Sequence, residues 1–380
     1  MHSFILAGSM EPRVSDILEI IDGIAPFRLA EEWDNVGLQV GDPTTTASRI
    51  MIALDPCREA VDEAVASDCQ LLLTHHPLIF TSIRSLNLRE QPGEILAKAL
   101  RNNLSIAALH TNYDIADGGI NDLLAEKIGL TCIEPLARHE GEELVKLAVF
   151  VPKGHEEQVM EALFRSGGHM GNYSDCSFQT EGVGTFRPLS GAKPFLGSPG
   201  RREYAEEKRI EVLLRREDVP SACRALVEAH PYEEPAFDLY PLLNKGVCRG
   251  LGRIGNLREA LPLAQLASSL KDELSLIALR IVGDGARSMD KVALCAGSGA
   301  SLLRQAHGLG ADVLVTGDVK YHDAREAEML GIALVDIGHF ASEIPMVRGV
   351  CARLREEVKA KGFTAEIMAC KSERDPFEYC

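Results

Sequence analysis

Between residues 14 and 24, apolar side chains return every three or four positions: Val14, Ile17, Ile20, Ile21 and Ile24. That spacing places them on one face of an α-helix. Ser15 or Asp16 offers a cap and Pro26 a stop. Short, almost wholly apolar runs follow, each too brief for a helix, and stretches of helical period separate them. They predict strands over 49–54, 69–74 and 105–109, with helices over 59–67 and 94–102. Strands alternating with helices in this way indicate βαβ units and a largely parallel sheet.

The rhythm changes near residue 145. Residues 145–151 alternate like a strand with one buried face, and 155–167 read as a helix. Two or three strands are predicted around 174–180, 185–188 and 208–214, then a helix over 219–230 and a strand over 236–240. This β-α-β…β-α-β order is ferredoxin-like. The Gly- and Pro-rich segment 189–202 reads as a long loop. After residue 250 the first pattern returns, with strands over 291–296, 312–316 and 332–337 and helices over 301–309, 322–330 and 345–361. The simplest account is one α/β domain, residues 10–144 and 245–375, split by an inserted α+β domain, residues 145–244.

Composition narrows the class. A chain of 380 residues has room for two or three domains. With 46% hydrophobic residues it has ample core material. Its 40 basic and 56 acidic side chains leave a net charge of −16, which disfavours nucleic acid and anionic lipid as partners. Aromatic residues make up only 5%, too few for a platform that stacks single strands. None of the ten cysteines forms a C-x-x-C pair, which argues against a thiolate zinc site and for a reduced, cytoplasmic setting. No apolar run reaches the length of a membrane span. The patch Phe4-Ile5-Leu6-Ala7 lacks a basic leader and is too short for a secretory signal. Met10 is an alternative start, and residues 1–9 are assigned no function.

Candidate chemistry gathers at predicted strand ends, where open α/β sheets bind their ligands. Thr74-His75-His76-Pro77 directly follows a strand. Adjacent side chains in extended backbone point opposite ways, so the pair suits two neighbouring ions better than one. Two loop histidines without a ligand are the plain alternative. In Gly338-His339-Phe340-Ala341-Ser342-Glu343, His339 and Glu343 are four apart and would share a helix face. The alternative is a surface helix whose first-turn Glu merely complements the dipole. In His110-Thr111-Asn112-Tyr113-Asp114, Asp114 can bridge two cations or simply cap a helix. His110 is either a ligand or an orienting group behind one, and the latter is favoured.

The coincidence outweighs each signal alone. These groups all follow strands of what reads as one sheet, so they would converge on one rim. Imidazoles and carboxylates without thiolate suit Zn, Fe, Mn, Co or Ni. Two such ions about 3.5–4 Å apart form a hydrolytic site whose bound water is acidified toward about pH 7.

Five blocks together resemble the signature of a known family: Glu32-Trp33-Asp34-Asn35-Val36-Gly37-Leu38, Thr74 to Leu78, His110 to Asp114, Gly317-Asp318 through Tyr321-His322, and Gly338-His339-x-x-x-Glu343. They resemble the Nif-three-like family, also called dinuclear metal centre hexameric proteins or GTP cyclohydrolase 1 type 2 homologues. The middle stretch, with His230-Pro231-Tyr232-Glu233-Glu234-Pro235, resembles the PII/CutA-like insert of its longer members. The resemblance implies a three-layer αβα domain, a toroidal homohexamer and a di-metal site. It carries metal ligation onto His75, His76, Asp114, His339 and Glu343.

Further positions remain open. Gly297, Ser298 and Gly299 lie between a strand and a helix and can cradle a phosphate, or form no more than a tight turn. His322 can move protons and Lys320 can balance an anion, but a capping Asp318 and a solvated Lys320 are favoured alternatives. Trp33 either walls the site or packs in the core. Glu233 and Glu234 read as a rigid polar turn.

The function that the resemblance implies is hydrolysis of a nucleotide-like molecule by a pair of divalent cations. In the cyclohydrolase form, the attack falls on C8 of guanine and releases formate. His110 or His322 would orient groups or carry protons. The alternative is a non-catalytic metal-binding regulator or scaffold. Five protein ligands for two ions leave coordination positions open, which favours catalysis.

Overall fold

The computed structural model describes residues 10–138, 142–171 and 173–378. These residues fall into two compact units. One is built from the chain up to residue 139 and from 249 onward, the other from residues 140–248.

The first unit opens with α1 (Val14–Ile24), β1 (Gly37–Val40), β2 (Arg49–Ala53), α2 (Arg58–Ala66), β3 (Leu71–Thr74), α3 (Gly93–Arg101) and β4 (Ser105–Ala108). It continues through α4 (Thr111–Ile115), α5 (Ile120–Ile128) and β5 (Thr131–Arg138). The second unit holds β6 (Glu143–Pro152), α6 (Glu156–Phe164), β7 (Ser177–Phe186), β8 (Glu203–Arg215), α7 (Val219–Ala229) and β9 (Phe237–Lys245). The first unit then resumes with β10 (Gly250–Pro262), α8 (Leu263–Glu273), β11 (Arg280–Val282), β12 (Ser288–Leu294), α9 (Leu303–Gly308) and β13 (Val313–Thr316). It closes with α10 (Tyr321–Leu330), β14 (Ala333–Asp336), α11 (His339–Glu343), α12 (Pro345–Ala360) and β15 (Glu366–Ala369). Among the described residues, no helix is long and apolar enough to cross a membrane.

The strands of the first unit form two sheets where the sequence pattern suggested one. The first sheet runs β1-β4-β3-β2-β15 and the second β11-β14-β13-β12-β10-β5. The stretches β15-β2-β3-β4 and β12-β13-β14 are parallel, and the remaining strands pair antiparallel at the edges. Strand alternation explains the layering. Ile50, Ile52, Leu71 and Leu73 of the first sheet share a core with Val292, Leu294, Val313 and Val315 of the second. Between them pack α1, α5, α8 and α12. The opposite face of the first sheet, with Met51, Leu72 and Ile106, covers α2 and α3. That of the second, with Ala293, Leu314 and Leu334, covers α9 and α10. Each sheet therefore lies between helices, and the two share their inner layer.

The second unit is a four-stranded antiparallel sheet in the order β7-β8-β6-β9, with α6 and α7 on one face. The strands expected at 174–180 and 185–188 are a single strand, β7. The long β8 pairs through Gly182 and Gly184, from Ser177 opposite Val212 to Phe186 opposite Glu203. β10 escaped the pattern because three glycines interrupt it. At Gly250 the reason is close approach: a Cβ there would stand 1.8 Å from the Ala137 carbonyl oxygen of β5.

Candidate metal centre

The parallel strands of both sheets end at one place. His75 directly follows β3, and His110 lies two residues beyond β4. Asp55 lies two residues beyond β2, Asp318 two beyond β13 and His339 three beyond β14. The expected convergence on one rim thus occurs between two sheets, each contributing its carboxyl edge. Asp114 is held on the short α4, four residues after His110, and Glu343 on α11, one turn after His339.

All five expected ligands meet there. The fully buried His75 places Nε2 3.6 Å from Asp114 Oδ1 and 3.6 Å from Glu343 Oε1. The other Glu343 oxygen, Oε2, lies 3.1 Å from His76 Nε2 and 2.9 Å from His339 Nε2. Glu343 thereby straddles the cluster, the position the sequence had offered to Asp114. The ligand atoms of His75, His76 and His110 lie within 4.8 Å of one another, as do those of His76, His339 and Glu343. His110, expected behind the ligands, belongs to the cluster itself.

Three imidazoles are fixed from behind by carboxylates. His76 Nδ1 is 2.8 Å from Asp55, His110 Nδ1 is 2.8 Å from Asp34, and His339 Nδ1 is 2.7 Å from Asp318. With Nδ1–H donated outward, Nε2 is the atom left to face the cluster, the arrangement found behind metal-bound histidines. Asp34 also accepts from the Thr111 backbone amide at 3.0 Å and so starts α4. Asp318 adopts left-handed backbone (φ 56°) and serves His339; the capping expected of it falls to Asp323, which accepts from the Lys320 amide at 2.9 Å.

The electrostatics are those of donors waiting for a cation. Burial would lower the His76 imidazole, but Asp55 and Glu343 reverse this and raise it to about 10. Glu343 and Asp318 raise His339 to about 9, against burial. Burial would push Glu343 up, yet His75, His339 and His76 hold it well below the usual carboxylate range. Burial pushes Asp114 up to about 7 against the pull of His75. Both ring nitrogens of His75 and Oδ1 of Asp114 are buried without a hydrogen-bond partner. Orphaned buried polar atoms are rare in native proteins and call for an ion or water. Two ligand atoms on one tetrahedral ion stand about 3–3.5 Å apart, close to the separations seen here. The donor set therefore fits a divalent cation.

Asn121, which the sequence did not single out, locks the halves together. Its buried side chain donates to the Asp114 carbonyl at 2.9 Å and accepts from the Ala296 amide at 2.8 Å.

The Gly297-Ser298-Gly299 loop differs from a phosphate cradle. Its Gly297 amide donates to Ser342 Oγ and its Gly299 amide to Thr316 Oγ1, both at 2.8 Å, so neither is left for an anion. Glycine at 297 instead makes room for the site: a Cβ there would stand 2.2 Å from Glu343 Oε1. The structure does not bring His322 into the cluster. It is exposed on the first turn of α10, where its ring meets that of Tyr321. Trp33 is 59% exposed, so it is no core residue. With Phe80, 53% exposed and 5.9 Å away, it forms an aromatic rim beside His110.

Fold and site define an α/β protein with a candidate metal centre of imidazoles and carboxylates between two sheets. The chain belongs to the Duf34/NIF3 (NGG1p interacting factor 3) family, whose model matches residues 12–376. It is 39% identical over 364 residues to a Bacillus subtilis protein named GTP cyclohydrolase 1 type 2 homolog, covering 96% of this chain and 97% of that one. A Halalkalibacterium halodurans protein of the same name is 41% identical over 364 residues, covering 96% and 98%. The crystal structure of a Bacillus cereus protein related to NIF3 superposes with a TM-score of 0.89 at 42% identity, covering 98% of this chain and all of the other.

Proposed function

We propose that this protein is a metal-dependent hydrolase of the GTP cyclohydrolase 1 type 2 kind, with two divalent cations held by His75, His76, Asp114, His339 and Glu343. The observation that carries the reading is the buried, unpartnered His75 between two carboxylates, with Glu343 reaching a second pair of imidazoles. A cation pair supplies Lewis acidity and acidified water to a hydrolysis. Asp55 and Asp318 orient two of the ligating rings. His110, backed by Asp34, holds or moves a proton at Nε2. Trp33 and Phe80 offer a surface for a flat heterocycle such as a nucleobase, whose ring faces favour aromatic contact.

The inserted unit is read as a PII/CutA-like module, supported by its strand order. A homohexamer is proposed as the working assembly. Exposed apolar side chains on the insert, among them Tyr204, Leu239 and Leu243, support its contact with other copies. Light scattering should then give six times the mass of one chain.

The activity is tested by loading the full-length protein separately with Zn, Mn, Fe and Co and measuring formate released from GTP. Release that disappears in His75→Ala/His339→Ala supports the cyclohydrolase reading. No release with any of the four metals overturns it.

A further inference from the structure

The inserted unit contains a second candidate site. A cavity of about 760 Å³ lies within it, inside the roughly 300–1,000 Å³ range of small-molecule sites. Its floor is the sheet face turned away from the helices. Leu147, Val149 and Val151 of β6 and Ile210, Val212 and Leu214 of β8 pack in the core with α6 and α7. Alternation turns Phe150 and Glu207 to the other face, where both line the cavity. Its roof is the loop between β7 and β8. Gly200 donates to the Pro188 carbonyl and Lys193 to Glu233, at 2.8 and 2.9 Å, and the Phe195 ring stands 5.3 Å from that of His155.

Two features define the ligand class. The first is an aromatic lining in a chain poor in aromatic residues: Phe150, Phe186, Phe195 and Tyr232. The Tyr232 ring lies 5.8 Å from Phe186 and 6.1 Å from Phe195. The second is Glu207, only 9% exposed. The Tyr232 hydroxyl donates to its Oε1 at 2.9 Å, but no cationic side chain pairs with it among the described residues. Its basic neighbours in sequence are engaged elsewhere, Lys208 with Glu156 and Arg209 with Glu211. β7 also gives way to this carboxylate: a Cβ at Gly184 would stand 2.0 Å from Glu207 Oε2. Glu233 and Glu234 add negative charge to the lining, against one exposed Arg187. A buried carboxylate without a cation is costly, and aromatic faces attract cations.

We propose that this cavity binds a small organic cation, an ammonium group on a flat apolar body, with the charge against Glu207 and the body among the four aromatic rings. The reading is independent of the metal centre.

Calorimetric titration of the full-length protein with three matched indoles tests it: tryptamine (cation), tryptophol (neutral) and indole-3-propionate (anion). Tryptamine should bind at least about tenfold more tightly than tryptophol, with the anion weakest. Glu207→Gln should bring tryptamine and tryptophol within about twofold of each other. Phe195→Ala, on the roof loop, should weaken both and so locate the site. Equal affinity of wild-type protein for cation and neutral probe, or no binding of any probe at millimolar concentration, overturns the proposal even if a variant fails to fold. A cation preference that survives Glu207→Gln in a folded variant overturns it as well.

Discussion

The Nε2 atoms of His76 and His339 stand 3.3 Å apart, although one ring leaves the first sheet after β3 and the other leaves the second sheet after β14. Protonated rings at that distance repel, whereas a cation accepts both lone pairs. Elemental analysis should therefore find about two divalent ions per chain and a large loss in His75→Ala/His339→Ala. Glu343 touches both halves of the cluster, so Glu343→Gln should drain both ions, while His75→Ala alone should mainly drain one.

Asp318 touches no expected ion yet sets the ring of His339. Asn tolerates the same left-handed backbone, so Asp318→Asn removes the charge with little added strain. Metal affinity, measured by competition with a chelating dye, should fall about 10- to 100-fold while secondary structure is unchanged. Unaltered affinity would mean that His339 is not a ligand.

Metal uptake should depend on pH in a defined direction. His76 and His339 are raised to about 10 and about 9 in the metal-free site, so near neutrality a cation must displace protons from them. Apparent affinity should rise with pH until about pH 9–10, and calorimetry in buffers of different ionisation enthalpy should detect the released protons. The same shifts bear on metal-free stability. Groups whose folded pKa is raised stabilise fully below their unfolded value, near pH 6.5 for His, and lose that contribution as pH climbs through 9–10. Metal-free protein should therefore lose stability across that window relative to the loaded form.

Gly297 is the most constrained of the three loop positions. Gly297→Ala would force a Cβ against Glu343 at 2.2 Å in backbone with φ 64°, at a cost of about 1–2 kcal/mol from the backbone alone. Metal content should drop with it. Ser298→Ala, at an exposed neighbour, should leave metal content intact.

Asn121→Leu removes both hydrogen bonds that tie Asp114 to the strand end at Ala296. Two buried backbone groups lose their partner, so chemical denaturation should show a loss of at least about 2 kcal/mol.

The clustering of the candidate residues was legible in part because of a local rule: chemistry-bearing side chains sit just beyond strands. His75, His110 and His339 could be read that way one at a time. Asp55 and Asp318 obey the same rule, but nothing in one sequence distinguishes an orienting carboxylate from a turn residue. Asn121 is less visible still, since its worth lies in two backbone groups far away in the chain. The helix over 14–24 was found at its observed bounds because its apolar period is clean, and all five of those side chains are buried. The second sheet was merged with the first because strand periodicity reports burial and says nothing about which neighbour a strand pairs with. β10 was missed for a related reason: glycines interrupt a strand pattern when read locally, but Gly250 marks a place where the Ala137 carbonyl of β5 comes close.

β5 and β10 are hydrogen-bonded neighbours, with Arg138 opposite Gly250. The interruption of the first unit therefore falls at the tip of what would otherwise be a simple hairpin. Its two attachment points are already side by side, so a short turn could replace the whole excursion without stretching the parent sheet. Acquiring or shedding the module at that point leaves the histidine cluster's covalent framework untouched, which makes this junction a natural place for lineages, or protein engineers, to exchange one accessory for another.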